Sequence, residues 1–281
     1  MAEQTRELAA EQTAAARPVS LSTNTSWRNL LETVLPPAVV LLGIAVAWEI
    51  IVTVRNISPI ILPKPSAILL NLIQDPAYYF VENGLITFAE AVIGFLLGAV
   101  VGISLAAVLA RSRLLERSVF PLIVLIKATP IVVIAPLLII WMGYGPMPKV
   151  VMAALLCFFP ILVNTIIGLR SVNPTALEFL ESVSASEWEI FRQLRVPHAL
   201  PYVLSAFKTS VSLAVIGAVV AEWAGAGEGL GRVVFTSAAV LDEESVFAAV
   251  LVLAVMGILL TAIVTWLEKR LLYWHESVIL D

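Results

Sequence analysis

LITFAEAVIGFLLGAVVGISLAAVLA, residues 85–110, decides the fold class. The run carries one charge, Glu90, and no proline. At 1.5 Å per residue a helix of this length is about 39 Å long, more than the roughly 30 Å hydrocarbon core of a bilayer. Lipid offers no hydrogen-bond partner to a backbone, so a crossing segment must be helical. Gly94, Gly98 and Gly102 recur every four residues, followed by Ala106 and Ala110. Such a small-residue stripe lets a second helix approach closely.

Five further stretches have the same character: Val34–Val54, Val119–Met142, Val150–Leu169, Val203–Val220 and Val246–Leu267. They are long and continuous, which excludes the short alternating strands of a membrane barrel. Of 281 residues, 60% are hydrophobic and 14% charged. A soluble domain averages about 45–50% and 25%. The mean hydropathy is +0.96. The expected class is all-α, a polytopic membrane protein with six transmembrane helices. A net charge of -4 gives no basic footprint for nucleic acid. Cys157, the only cysteine, sits in an apolar run and reads as a buried small hydrophobe.

Lysine and arginine placement sets the orientation. With the N-terminus inside, the cytoplasmic side holds Arg6, Arg17, Arg28, Arg111, Arg113, Arg117, Arg170, Arg192, Arg195, Lys269 and Arg270. The outer side holds Arg55, Lys64 and Arg232, with Lys149 at a boundary. Both termini are therefore expected in the cytoplasm. Residues 1–28 read as a mobile cytoplasmic tail, because they are polar and lack the apolar core of a secretory signal. Residues 29–274 form the transmembrane domain, and 275–281 a second cytoplasmic tail.

The connections carry their own signals. Pro121, Pro130 and Pro136 predict kinks in the third span. Residues 55–84 hold four prolines and a short amphipathic helix from Ser66, as N-cap, to Gln74. Gly225, Gly227, Gly229 and Gly231 predict a flexible turn or gate before the last span. No G-x-x-x-x-G-K-[ST] loop occurs in the chain.

Residues 171–201, between the fourth and fifth spans, are too structured for a bare connector. Leu177, Leu180, Val183 and Ser184 share one helical face, and Trp188, Phe191 and Leu194 share the next. Ser186 and Glu189 fit a capping box. An exposed apolar helix edge on the cytoplasmic face calls for a protein groove; resting on the lipid interface is the alternative.

Here the chain resembles the permease subunits of ATP-binding-cassette importers. Their loop has the form E-A-A-x-x-x-G, nine residues, I-x-L-P. In this chain the frame is Glu178-Phe179-Leu180, three residues, Ser184, nine residues, then Leu194-Arg195-Val196-Pro197. The spacing matches; Phe179 and Leu180 replace the alanines and Ser184 the glycine. Leu62-Pro63-Lys64-Pro65-Ser66, Trp141-Met142-Gly143-Tyr144-Gly145, Phe158-Phe159-Pro160-Ile161, Glu222-Trp223 and Gly229-Leu230-Gly231 follow the same family in order. The resemblance spans roughly Trp48 to Trp274 and is to the sulfonate, taurine and nitrate branch. Within it, Thr87-x-x-Glu90, Phe159-Pro160 and Ala221-Glu222-Trp223 resemble permeases for pyrimidine-type vitamin precursors and riboflavin.

The resemblance implies the type I importer permease fold in a bacterial cytoplasmic membrane. It implies a pore made with a second permease copy, a homodimer. It also implies a separate ATPase subunit that binds ATP and Mg, and an external solute-binding protein. This chain would then hold no cofactor and would not be an enzyme. Carried over by position, Glu178, Ser184, Ala185, Ser186, Glu187, Trp188, Leu194 and Pro197 would dock on the ATPase.

Ionisable groups at membrane depth face the interior, water or a partner charge. Glu90, Lys127, Thr129, Pro130, Glu222 and Trp223 are the candidate pathway residues. Lys127 lies deepest, and the alternative for it is an internal salt bridge to Glu90 or Glu222. Lys208 and Glu49 read as interfacial or structural. His198 and His275 sit at the cytoplasmic boundary, with no metal-ligand spacing. An ion-gradient-driven secondary transporter is the competing function, but it leaves the 171–201 loop unexplained and calls for internal repeats that the two halves do not show. A membrane-embedded enzyme would need a polar constellation at depth, and only Lys127 qualifies.

Overall fold

The structure is a computed structural model and describes residues 27–225 and 227–272. The expected tails, with His275, lie outside the described residues, except that Trp27 and Arg28 already open the first helix. That helix, α1 (Trp27–Val54), contains Pro36 and Pro37, and its apolar part, Leu35–Val54, is long enough to cross a membrane.

A short helix α2 (Pro65–Gln74) follows, with Lys64 as N-cap and Pro65 in the first turn. The expectation of Ser66 as N-cap is corrected: proline lacks the N–H that a cap would satisfy, and its fixed φ opens the helix at Pro65, which moves the N-cap two residues back to Lys64. The chain then winds as a π-helical segment, Ala77–Gly84, into α3 (Leu85–Ala110). The two make one apolar helical stretch of 34 residues. Part of what the sequence presented as loop is therefore helix.

The third apolar stretch is broken. Helix α4 (Arg113–Ala128) and α5 (Ile131–Met142) meet at 97° across Thr129-Pro130. Proline disfavours the helical conformation at the residue before it, and Thr129 is extended at φ −71°, ψ 129°. The halves pack at opposite ends of the bundle. Ile123 of α4 joins Ala106, Leu109, Leu162 and Ile166; Ala135 and Leu138 of α5 join Met152 and Ala221. The pair therefore still travels from one end to the other, as a bent span. With it the apolar spans number six among the described residues.

Helix α6 (Pro146–Arg170) is the centre of the bundle. On one side the small-residue stripe of α3 lies directly on it: a Cβ added at Gly98 would stand 2.6 Å from the Ala154 carbonyl oxygen. On the other side lies α9 (Val196–Gly225), where a Cβ at Gly217 would meet Ala153 Cα at 2.7 Å. Between α6 and α9, Cys157 is buried, with its thiol directed at the Ser210 carbonyl (3.0 Å). The chain closes with α10 (Leu230–Ala239) and α11 (Glu243–Leu271). Helix α11 runs back along α9, joined by Ser212–Thr261 (3.2 Å) and a Lys208–Glu268 ion pair. That pair gives Lys208 the structural role expected of it. All the described secondary structure is helical. Large apolar side chains on α4, α5 and α11 remain exposed, as lipid or neighbouring spans require.

Candidate functional site

The loop at residues 171–195 projects from the end of the bundle where α3 and α6 finish. Arg170 secures its base, pairing with Glu116 of α4 and donating to the Leu109 carbonyl of α3 at 3.2 Å. Asn173 then caps α7 (Pro174–Ser182) by accepting from the Thr175 N–H (2.9 Å). This helix buries none of its residues. Phe179 is 65% exposed and Val183 60%.

The end of α7 explains the glycine of the family pattern. The Ala185 N–H donates to the Leu180 carbonyl (3.0 Å) and the Ser184 N–H to the Glu181 carbonyl (2.9 Å). This is a Schellman termination, and its C′ residue must be left-handed. That residue is Ser184, at φ +58°. Glycine adopts this conformation without steric cost; serine does not.

Ser186 starts α8 (Glu187–Ile190), and the expected capping box is complete. Its hydroxyl accepts from the Glu189 N–H (3.3 Å), while the Glu189 carboxylate accepts from the Ser186 N–H (2.7 Å). Ile190 is buried as the anchor. Trp188 is 59% exposed and stacks on Phe191. A π-helical turn, Phe191–Arg195, leads into α9. Glu178, Ser184, Ser186, Glu187, Trp188 and Pro197 are exposed, and Ala185 and Leu194 half-buried. The docking candidates thus share one projecting loop and its junction with α9.

The opposite end holds a buried polar network. The Thr87 hydroxyl of α3 donates to Glu222 Oε1 of α9 (2.7 Å) and accepts from the Leu230 N–H (2.9 Å). Glu222 Oε2 accepts from the Gly231 N–H (2.5 Å), and Asn83 Oδ1 from the Gly229 N–H (2.9 Å). Glu222 is 1% exposed. Beside it, Glu90 pairs with Lys149 of α6 at 2.7 Å, and the Glu90 and Glu222 carboxyl groups are neighbours. Gly229, at φ +115°, lies so close to the Glu222 carboxylate that any Cβ would collide with it. The turn expected to be flexible is instead held by three backbone N–H groups.

The six pathway candidates divide. Glu90 and Glu222 are buried within this chain, whereas Lys127, Thr129, Pro130 and Trp223 are exposed. Among the described residues no ion pair joins Lys127 to Glu90 or Glu222. Glu90 takes Lys149 instead, because α6 lies against α3 at that level and α4 does not. Lys149, read from the sequence as a boundary charge, and Asn83 were the network members that residue spacing did not single out, while Thr87 stood out only as part of the family motif Thr87-x-x-Glu90. No three His, Cys, Asp or Glu side chains among the described residues gather to hold a metal ion.

Comparisons with known proteins agree with this architecture. The chain is 37% identical over 244 residues to the formylaminopyrimidine transport permease protein ThiX of Halalkalibacterium halodurans, covering 86% of this chain and 97% of that one. It is 32% identical over 245 residues to the riboflavin transport system permease protein RibX of Chloroflexus aurantiacus, covering 85% and 90%. A solved chain of the MetNI methionine ABC transporter, in an inward-facing conformation, superposes with a TM-score of 0.57 at 17% identity, over 68% of this chain and 97% of that one. The model of the family of binding-protein-dependent transport system inner membrane components matches residues 66–273, and the chain belongs to that family.

Proposed function

We propose that the chain forms one half of an importer pore, is worked from the cytoplasm through residues 171–201, and passes a flat heteroaromatic solute. Membership of the family makes it a permease subunit of an ATP-binding-cassette importer, multi-pass in the cytoplasmic membrane. It is a transport subunit rather than an enzyme, and ATP is hydrolysed by a separate chain.

The observation that carries the docking reading is α7, a helix that buries nothing and presents Phe179 and Val183 to its surroundings. Apolar side chains so placed, beside the exposed Trp188, fit a groove on a second protein. The ATPase is that protein, with ATP and Mg bound on its side. The bias of arginine and lysine supports a cytoplasmic position for this end and for both termini. The opposite end, with its pinned glycine turn, then receives solute from the binding protein. A second copy of the chain completes the pore, and the exposed elbow Lys127-Ala128-Thr129-Pro130 offers it a cation, a hydroxyl and a bend.

The solute class rests on the two relatives named for formylaminopyrimidine and riboflavin transport. Uptake of each compound into vesicles holding the permease, ATPase and binding protein tests it; uptake of neither, with taurine transported instead, removes it. For docking, Ser186→Arg and Trp188→Ala are expected to insert normally but abolish ATP-driven uptake. Normal uptake by both would sink the assignment.

A further inference from the structure

Residues 171–195 connect through the chain only to α6 and α9. Helix α3 has no such link, yet its far end holds the Thr87 and Glu90 network. Besides the Arg170 hydrogen bond to the Leu109 carbonyl at the loop's base, its near end meets the loop through an aromatic ring. Phe191 packs against Ala110 of α3, Leu169 of α6 and Ala199 of α9. Trp188 stacks on that ring at 5.8 Å between centroids, with 23° between planes. The Arg111 guanidinium lies over the ring, 5.3 Å from its centroid. Arg111 is the C-cap of α3. Among the described residues it makes no ion pair, so the ring is its one specific partner. Arg111, Glu187, Trp188, Phe191 and Arg195 together line a recess of about 590 Å³.

We infer that Arg111 is a positioning residue for coupling: its guanidinium, seated on Phe191, makes the docking loop and α3 move as one body. The inference rests on the docking reading of residues 171–201. The chemistry favours arginine at this place. A planar guanidinium stacks on an aromatic face, whereas a lysine ammonium is a compact, strongly hydrated charge. The end of a helix also favours a cation, which holds Arg111 close to the last carbonyls of α3. From there α3 is a continuous rod of 26 residues, about 39 Å long. Its opposite end carries Thr87, which holds Glu222 and the Leu230 N–H. A displacement of Phe191 reaches the glycine turn by this route without passing through α6 or α9.

The test uses the assembled transporter in proteoliposomes, with ATPase and binding protein. Arg111→Ala should retain the ATPase and its basal hydrolysis, and Phe191→Leu should show the same coupling defect. Solute moved per ATP should fall about tenfold, within the roughly 5–150-fold span of coupling free energies. The double variant should be no worse than either single one, because both remove the same contact. Arg111→Lys should recover only part of the loss. Normal coupling in Arg111→Ala, full recovery with lysine, or multiplied defects in the double variant would each overturn the inference. Loss of the ATPase from Arg111→Ala would overturn it too, since Arg111 would then be a docking contact. Trp188→Ala separates the two readings: if it couples normally while Arg111→Ala does not, the docking assignment of Trp188 fails and the Arg111 link stands.

Discussion

Replacing Lys149 by methionine keeps the bulk of the side chain and removes its charge. Lys149 is 8% exposed and Glu90 3%, and their Nζ and Oε1 atoms are 2.7 Å apart. Without the ammonium group, the Glu90 carboxylate stays buried beside Glu222 with no cation to offset it. Breaking a buried pair in this way costs about 3–5 kcal/mol, or roughly two to four orders of magnitude in the folding equilibrium. Removing both charges is far milder. Lys149→Met with Glu90→Gln leaves an amide able to donate to Glu222, and its stability should lie within about 1 kcal/mol of the parent. The measurement is unfolding by sodium dodecyl sulfate of the purified chain in mixed micelles, followed by tryptophan fluorescence, for which seven tryptophans supply signal. A Lys149→Met variant as stable as the parent would refute the reasoning. So would a double variant that is additively worse, because the pair would then not be acting as a pair.

Gly98→Ala should destabilise by about 1–3 kcal/mol in the same titration, because its Cβ meets backbone of α6, while Gly257→Ala, with nothing within 4 Å, should be neutral or slightly stabilising. Thr87→Val leaves Glu222 Oε1 and the Leu230 N–H without their partner, at about 1–3 kcal/mol each. Hydrogen exchange of residues 227–231 should speed up accordingly. Ser184→Gly relieves a left-handed conformation worth roughly 1 kcal/mol and should keep the ATPase bound, whereas Ser184→Val should weaken its retention in pull-down.

The spans were legible because lipid demands long apolar runs, and the α3 stripe because its period of four is local. The capping box at Ser186–Glu189 was legible for the same reason. The 97° turn at Thr129-Pro130 was read as one kink among three. Pro121 and Pro136 sit inside α4 and α5, so proline content alone does not separate a bend from a break. The partner of Glu90 was out of reach, since Lys149 lies 59 residues away and only the packing of α3 on α6 brings them together. The departure at Ser184 was visible, but its meaning needed the backbone angle. Lys127 drew attention by depth, and the structure leaves it on an exposed surface.

The Glu90–Lys149 pair also sets a timetable for biogenesis. Ribosomes add about 5–20 residues per second. The 59 residues from Glu90 to Lys149 therefore take about 3–12 s to make. During that interval α3 carries a carboxyl group without its cation. The wait from Thr87 to Glu222, 135 residues, is more than twice as long. A helix with unmatched polar groups does not disperse readily into lipid, so α3 has reason to linger at the insertion machinery until α6 arrives. The sequence separation of two charges thus sets how long α3 must wait for its partner.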